Sequence, residues 1–368
     1  MGDSQAPLCA LRDWIVSGTA PQPMGAAETA ALLDEARVQG LSGVLAHDPA
    51  LSQGWPDAQR DQLRHTQRTL LARGLLQRQL GADLLGALGR RGVRALPLKG
   101  LALAAMPDVY SVESHRPMED LDILSLGHWN TAVQALLTAG LELEEKADHA
   151  WRFREPSSRA AVELHHSVTS CPGLYPSQPE ALWTRSHPSD VLPRLPSPED
   201  LLLQLALHAS FQHALRLSLI QWLDFKRLLD ARRIDLDRMR HAALEAQAVG
   251  PLRAALCAAT AVVGADPPEE LMAWARSRTP RRTERWIQAE GANPLALVAV
   301  PNSPLPARWE LSRGRRLRFV WGTLDPLRPG DTRTPLVRGL GVVVRTLQLL
   351  KRWAFAPRQG GRRLHGHT

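Results

Sequence analysis

A short apolar segment carrying two acidic residues, Asp120 and Asp122, most constrains how this chain of 368 residues can fold. Alternate side chains of a β-strand point to the same face. The pattern therefore predicts a strand over 120–125 in which Leu121 and Ile123 enter a core and both carboxylates project from the other face. Two carboxylates this close repel each other unless a cation lies between them. The segment is thus a candidate site for a hard divalent ion such as Mg²⁺.

Two further elements accompany the acidic strand. An apolar run upstream of it ends in Lys99 and Gly100, and a second predicted strand downstream carries Glu163 and His165. Glu163 could supply a third carboxylate, because its apolar neighbours would face the core and leave its side chain on the opposite face. The alternative is an acid on the solvent side of a hairpin strand. By the same alternation, His165 lies on the side of Glu163.

These segments resemble the nucleotidyltransferase superfamily with a polymerase-β-like core, and within it a bacterial branch described only as nucleotidyltransferase family protein. The resemblance is carried by Leu98-Lys99-Gly100, by residues 116–123 and by Glu163-Leu164-His165. A weaker likeness continues through the following helices to Asp230. The resemblance implies an α+β fold, with a small mixed β-sheet core of polymerase-β-like type embedded in a mostly α-helical chain that has a C-terminal helical domain.

The same resemblance implies a reaction. A nucleoside monophosphate would pass from an NTP to a hydroxyl of an acceptor by a two-metal mechanism. Two Mg²⁺ ions, or Mn²⁺ in their place, would be bound by Asp120, Asp122 and Glu163, which are the expected catalytic residues and metal ligands. By resemblance, the acceptor is a small molecule, such as a sugar or peptide product, although a protein side chain is also compatible.

The candidates for contact with the nucleotide phosphates are Lys99, Gly100, Arg116 and His165. Arginine presents a planar fork that matches phosphate oxygens, and lysine presents a point charge. Glycine lets the backbone approach an anion. The structural alternatives are a lysine at a strand end, a simple turn, an arginine paired with Glu119 or Asp120, and a histidine hydrogen-bonded beside the acids. The last is favoured for His165, and both roles stay open for Lys99 and Arg116.

The remaining chain divides by composition into predicted units. They are an N-terminal helical cover (1–91), the catalytic core (92–172), a Pro-rich linker (173–197), a helical domain (198–290) and an extension with an amphipathic helix and a basic tail (291–368). Residues 1–24 are predicted to be irregular, and single helices are expected over 26–47, 57–90 and 199–216. In the helical domain, His208 with Gln204 or Gln212 could line a nucleotide cleft, but packing between helices is the favoured role.

Charge and cysteine content limit the partners. The net charge of +8 permits an anionic partner, but the arginines near the C-terminus contribute much of it, and a solvated tail is the favoured explanation. A role in nucleic-acid binding is therefore compatible but not favoured. The three cysteines are isolated, as is usual in the reducing cytoplasm. Neither a signal peptide nor an apolar run of the ~18 residues needed to span a bilayer is recognised, so a cytoplasmic enzyme is expected.

Two rival functions remain open. A non-catalytic binding or regulatory protein that keeps the fold would not need the three acids to converge. An RNA-directed nucleotidyltransferase or toxin–antitoxin component would need a continuous basic groove leading to the carboxylates.

Overall fold

The computed structural model describes residues 5–19, 25–48, 54–147, 149–169, 172–298, 342–344 and 347. Within these residues a five-stranded mixed sheet is combined with many helices. One continuous apolar cluster joins the N-terminal helices, the sheet and the helices that follow it. The predicted mixed sheet in a mostly helical chain is confirmed. Its polymerase-β-like topology and the domain boundaries remain predictions.

The sheet places the acidic segments side by side. Its strands are β1 (Ala95–Pro97), β2 (Asp120–Ser125), β3 (Glu142–Lys146), β4 (Ala150–Arg154) and β5 (Ala161–His165). Their order in space is β1-β2-β5-β4-β3, with β2 and β5 parallel and the other neighbours antiparallel. The register sets Asp122 opposite Glu163. Because residues opposite each other share a face of the sheet, both carboxylates project from the same side.

Both faces of the central strands are covered. The side chains of Leu121, Ile123, Val162 and Leu164 are fully buried, as the alternation predicted. Asp122 on the opposite face is also only 3% exposed. The acidic face of the sheet is therefore buried at Asp122 and only partly exposed at Asp120 and Glu163, and charges there interact more strongly than they would in water.

Within the described residues before the sheet there are four helices: α1 (Ala6–Ser17), α2 (Ala26–Val38), α3 (Ser42–His47) and α4 (Asp57–Arg90). Helix α4 has the predicted bounds. The prediction of an irregular segment over 1–24 is wrong, because α1 lies within it. The single helix predicted over 26–47 is also wrong, because the chain breaks at Gly40, which has a φ of 72°. A side chain there would be strained and would meet Ile220, since an added Cβ would lie 2.6 Å from its Cγ2 atom.

Two helices cross between the strands, α5 (Lys99–Ala104) after β1 and α6 (Trp129–Thr138) after β2. The segment 173–197 contains α7 (Pro179–Arg185) and a small hairpin of β6 (His187–Pro188) and β7 (Arg194–Leu195). The helices beyond it are α8 (Pro198–Leu207), α9 (Leu219–Ala231), α10 (Leu236–Glu245), α11 (Val249–Val263), α12 (Glu269–Arg278) and α13 (Arg281–Gly291).

Helix α8 begins as its sequence predicts. A proline occupies its first turn, and the Ser197 hydroxyl accepts a hydrogen bond from the Asp200 amide at 3.1 Å. The prediction of one helix over 199–216 is wrong, because α8 ends at Leu207 and a π-helical turn follows over His208–Gln212. Such turns occur often at functional sites, because they re-aim side chains.

Some predictions lie outside the described residues. They include the helix expected over 309–323, most of the one over 335–355, the basic tail and the position of Cys171; residues 342–344 and 347 of the second helix are helical. Among the helices that the structure describes, none combines the length and the apolar character that crossing a membrane requires.

Candidate active site

The parallel pair of strands β2 and β5 brings three chemically active side chains together. One ligand atom each of Asp122, Glu163 and His165 lies within 4.8 Å of the others, and together they could hold a metal ion. Asp120 is two residues before Asp122 and therefore on the same face of β2. The predicted convergence of Asp122 and Glu163 is thus observed. The third member of the group that could hold a metal ion is His165, where Asp120 was expected. That Asp120 is also a metal ligand remains a prediction.

Two nitrogen-bearing side chains converge on one oxygen of Asp122. The Lys99 ammonium donates to Oδ1 at 2.8 Å, and Nε2 of His165 lies 2.7 Å from the same atom. Nε2 of His165 is also 3.5 Å from Oε2 of Glu163, and Nη1 of Arg152 is 3.4 Å from its Oε1. As the alternation predicted, His165 lies on the side of Glu163. The acids are therefore surrounded by nitrogen groups from two strands, β4 and β5, and one helix, α5.

The backbone at Lys99 is unusual. Its φ of 44° lies in the left-handed region, which costs energy for a residue that has a side chain. Lys99 begins α5 directly after β1, and its amide donates to Oε1 of Gln204 at 3.4 Å. The strained turn aims the ammonium group back along the sheet toward Asp122. Such strain often accompanies a functional position.

The electrostatics of the site explain its charge states. Burial by itself would raise the pKa of Asp122, but Lys99 and the bond from His165 hold this pKa well below its ordinary value. Burial opposes a charge on Lys99 and on His165, yet their contacts with the acids raise both pKa values above the ordinary ones. Asp122 is therefore a carboxylate beside the Lys99 ammonium at neutral pH.

Asp120 is in a different situation. Burial, and then the neighbouring charge of Asp122, raise the pKa of Asp120 to about 6. The hydrogen bond from His165 lowers the pKa of Glu163. Asp120 is therefore the acid of the site whose ionised form is least stabilised. A cation held by Asp122, Glu163 and His165, which could bind a metal ion, would also stabilise the charge of Asp120.

Gly100 is held by close packing. A Cβ atom at this position would lie 3.1 Å from Cγ of Met118 and 3.5 Å from Cζ of Arg116. Close packing against Met118 and Arg116 is therefore a sufficient reason for a glycine at this position, and no bound ligand is needed to explain it. The predicted phosphate contact of Gly100 stays a prediction.

Arg116 has a buried partner that sequence reasoning missed. Its Nε and Nη2 atoms donate to the two carboxylate oxygens of Asp224 at 2.7 and 2.9 Å, and Nη1 donates to the carbonyl of Pro117 at 2.7 Å. The Tyr110 hydroxyl donates to the same carboxylate at 2.7 Å. The structural alternative, a paired arginine, is thus observed, but the partners considered for it, Glu119 and Asp120, are wrong. Asp224 is 108 residues away in α9, so no local pattern could identify it. The phosphate contact predicted for Arg116 remains untested.

A group of neutral histidines borders the cleft. Gln212 in the π-helical turn links two of them, with Oε1 3.1 Å from Nδ1 of His208 and Nε2 3.5 Å from Nε2 of His149. The rings of His149 and His165 are 5.5 Å apart. Burial, followed by the charge of His165, lowers the pKa of His149 to about 4, and burial lowers that of His208 well below its ordinary value. His149 lies opposite the end of β5, a placement that the hairpin pattern could have indicated.

A comparison with protein families gives one result. A family model described as "Uncharacterised nucleotidyltransferase" matches residues 25–264, well over half of the chain. The matched span contains β1 to β5 with the acidic residues, and the helices α2 to α11. No curated protein matches the chain, and no solved structure matches it.

Proposed function

The chain belongs to the family of uncharacterised nucleotidyltransferases, and on that premise we propose that it transfers a nucleoside monophosphate from an NTP to a hydroxyl of an acceptor. The observation that carries the proposal is the pairing of Asp122 with Glu163 across two parallel strands, beside the charge of Lys99. Asp120 adds a third carboxylate on the same face. The cleft therefore combines acids suited to a metal–nucleotide complex with a cation suited to its phosphates.

Asp120, Asp122 and Glu163 would hold two Mg²⁺ ions, for which Mn²⁺ could substitute, since hard oxygen donors suit both metals. When bound, such ions neutralise phosphate charge and lower the pKa of an acceptor hydroxyl. The raised pKa of Asp120 supports this assignment, because burial and the neighbouring charge of Asp122 disfavour its ionised form and a bound cation would offset both effects. Glu163 is ionised, because its bond with His165 lowers its pKa. It could therefore accept the proton that the acceptor hydroxyl loses.

Lys99 would contact the NTP phosphates as a point charge. Its ammonium already lies in the cleft at 2.8 Å from Asp122, and a cation bound by Asp122 would release it toward the nucleotide. Gly100 and Arg116 would shape the wall behind it, because Gly100 packs against Arg116 and Arg116 is held by Asp224. His165 would position Asp122 and Glu163 through its two contacts.

The NTP and its acceptor are the proposed partners. By the resemblance of the motifs, we favour a small-molecule acceptor, such as a sugar or peptide product, over a protein or a nucleic acid. The reaction would join the acceptor oxygen to the α-phosphorus and release pyrophosphate, while the acceptor proton passes to a base such as Glu163.

The test is transfer of label from each α-³²P-labelled NTP in the presence of Mg²⁺ and cell extract. We expect a labelled acceptor with the natural chain and none with the isosteric double variant Asp120→Asn/Asp122→Asn. The matched control is Glu142→Gln, which neutralises an exposed acid at the start of β3 and should retain the transfer. Label transfer that persists unchanged in the double variant, or that never occurs with any NTP, would overturn the proposal.

A further inference from the structure

Arg152 on β4 extends a row of charged side chains that crosses the acidic face of the sheet. The strand register sets Arg152 opposite Glu163, which is itself opposite Asp122. Residues opposite each other on neighbouring strands share a face, and Nη1 of Arg152 lies 3.4 Å from Oε1 of Glu163. Lys99, which follows β1 on the other side of β2, contacts Asp122. The row therefore has a cation at each end and two acids between them.

The row opens toward solvent at Arg152. The exposed fraction of the side chain is 5% for Asp122, 23% for Glu163 and 39% for Arg152. Of these three residues, Arg152 and then Glu163 are therefore the most accessible to a second molecule that joins a nucleotide in the site.

Arg152 has unused hydrogen-bond donors. Among the described residues its side chain makes one hydrogen bond, the contact with Glu163, and its Nε atom is 3.6 Å from Oε2 of Glu144, beyond hydrogen-bonding distance. Arg116, which the sequence suggested as a phosphate contact, has a buried guanidinium that is bound to both oxygens of Asp224. A partly exposed pair such as Arg152 with Glu163 contributes little to stability. Of the two arginines, Arg152 is therefore the one whose donors are available to another anion.

We propose that Arg152 binds an anionic group of the acceptor, either a phosphate monoester or a carboxylate, and that the acceptor of this protein is therefore an anion. The inference rests on the proposed function, in which Lys99 contacts the NTP phosphates and Glu163 accepts the proton of the acceptor hydroxyl. The acceptor then lies at the Glu163 end of the row, beside Arg152 and away from Lys99. The planar fork of an arginine matches the paired oxygens of either anion.

The bound anion positions the acceptor and takes no part in the bond changes. The acceptor oxygen forms its bond to the α-phosphorus, pyrophosphate leaves with the electron pair of the bond that breaks, and the hydroxyl proton passes to Glu163. Because Arg152 contacts Glu163, the anionic group and the reacting hydroxyl belong to the same end of the acceptor. Loss of Arg152 should therefore weaken the use of the acceptor and leave the binding of the NTP nearly intact.

The first test measures label transfer from the α-³²P-labelled NTP to the acceptor over a dilution series of cell extract. For Arg152→Met we expect transfer at limiting extract to fall about 10- to 100-fold, because a charge-assisted contact is lost, and to recover in part at high extract. Arg152→Lys keeps the charge without the fork and should retain more of the rate. Equilibrium binding of the NTP with Mg²⁺ should change less than about threefold in both variants. Arg159→Met, at an exposed position between β4 and β5, should change neither quantity.

The second test identifies the anion by two treatments of the extract before the protein and the NTP are added. Phosphatase fixed to beads removes a phosphate monoester, and coupling of methylamine with a carbodiimide neutralises a carboxylate. One of the treatments should lower the transfer by the natural chain to about the rate of Arg152→Met. The same treatment should have little effect on that variant, because its contact with the anion is already absent.

The outcomes separate this inference from the proposed function. If the natural chain transfers no label from any NTP, the proposed function fails and the inference fails with it. If label is transferred but neither treatment lowers it, or if Arg152→Met keeps full transfer at limiting extract, only the anionic acceptor is refuted. A loss of NTP affinity as large as the loss of transfer would assign Arg152 to the nucleotide and refute it too. Thermal unfolding midpoints show which variants are folded, and the treated extracts test the proposal with the natural chain alone.

Discussion

Nζ of Lys99 lies 2.8 Å from Oδ1 of Asp122, and the Asp122 side chain is almost fully buried. The ammonium group of Lys99 therefore occupies the position beside Asp122 in which a bound metal ion would place its positive charge. The pair stabilises the site without metal, because the ammonium compensates a buried carboxylate whose other contact is His165. Under the proposed function, a metal cation would take the place of Lys99 beside Asp122, and a nucleotide phosphate would take the place of Asp122 beside Lys99.

Lys99→Met should weaken both folding and nucleotide binding. The low folded-state pKa of Asp122 contributes stability that is present above its unfolded pKa and is lost as the pH falls. Without Lys99 this contribution shrinks, and we expect a loss on the order of 2 kcal/mol at pH 7. NTP affinity should fall at least about tenfold because a phosphate contact is lost. Urea unfolding and equilibrium NTP binding measure the two effects.

The matched control is Lys226→Met, which breaks a partly exposed pair with Asp230 on one helix and should change stability by less than about 0.5 kcal/mol. Unchanged stability and unchanged NTP affinity in Lys99→Met would contradict the role given to this pair.

Asp120→Asn should stabilise the metal-free protein. The folded-state pKa of about 6 lies above the ordinary value of 3.8. The folded state therefore binds more protons between these values, and the contribution of Asp120 to stability falls as the pH rises through this window. At pH 7.5 the charged carboxylate is a net cost, so its removal should raise the free energy of unfolding by up to about 3 kcal/mol.

The same substitution should abolish the effect of metal. Mg²⁺ that binds the folded state raises the unfolding temperature of the natural chain, and Asp120→Asn should remove this rise. Thermal unfolding in EDTA and in Mg²⁺ measures both quantities, with Asp34→Asn on the exposed face of α2 as the control. A variant that is less stable than the natural chain in EDTA, or that still responds fully to Mg²⁺, would contradict the argument.

The sequence predicted those parts of the site that depend on short periodic patterns. Strand β2 has the predicted bounds, because apolar and acidic residues alternate along it, and α4 has its predicted bounds because its apolar stripe is long. The facing of Asp122 and Glu163 follows from strand alternation once the two strands are neighbours. Their adjacency was expected from the resemblance to a known family rather than from periodicity.

What could not be predicted depends on contacts between distant residues. The break at Gly40 exists because Ile220 packs against it, and Arg116 pairs with Asp224 rather than with a nearby acid. The π-helical turn after α8 positions Gln212 between two histidines, one of which precedes β4. Local propensity contains no information on such partners, since each is selected by tertiary packing.

The buried pair of Arg116 and Asp224 should be essential for stability. Asp224→Asn leaves the guanidinium buried, with only 8% of Arg116 exposed, and we expect a loss of about 3 to 5 kcal/mol. Tyr110→Phe removes one neutral donor to the same carboxylate and should cost about 1 kcal/mol. Asp61→Asn, which breaks an exposed pair with Arg64, should cost less than about 0.5 kcal/mol. Equal urea midpoints for Asp224→Asn and Asp61→Asn would contradict this ranking.

The docking of α3 onto the turn before Arg116 depends on a glycine. A Cβ atom at Gly43 would lie 1.6 Å from the backbone oxygen of Ser114, so the two segments must separate to accept it. Gly43→Ala should destabilise the fold by about 3 kcal/mol or more. Gly89→Ala in α4 meets nothing within 4 Å and should stabilise by about 0.5–1 kcal/mol, because alanine favours the helix. Chemical unfolding compares the two, and similar effects would refute the contact.

His115, in the same turn, should make the protein sensitive to acid. Neither ring nitrogen has a hydrogen-bond partner among the described residues, and the ring meets that of His47 at 4.6 Å. Burial, then the charges of Arg227 and His47, lower the pKa of His115 to about 4. The unfolded state therefore binds more protons between pH 4 and 6.5, so the stability contributed by neutral His115 is present above pH 6.5 and is lost as the pH falls.

His115→Leu should remove this dependence. Between pH 7 and pH 5 the natural chain should lose up to about 2 kcal/mol more unfolding free energy than the variant does, as the two pKa values require. His65→Leu, at an exposed position of α4, serves as the control and should follow the natural chain. Urea unfolding at pH 7, 6 and 5 measures the difference. If His115→Leu and the natural chain lose the same amount of stability, His115 must find a partner for its proton in the folded state, and the acid sensitivity has another source.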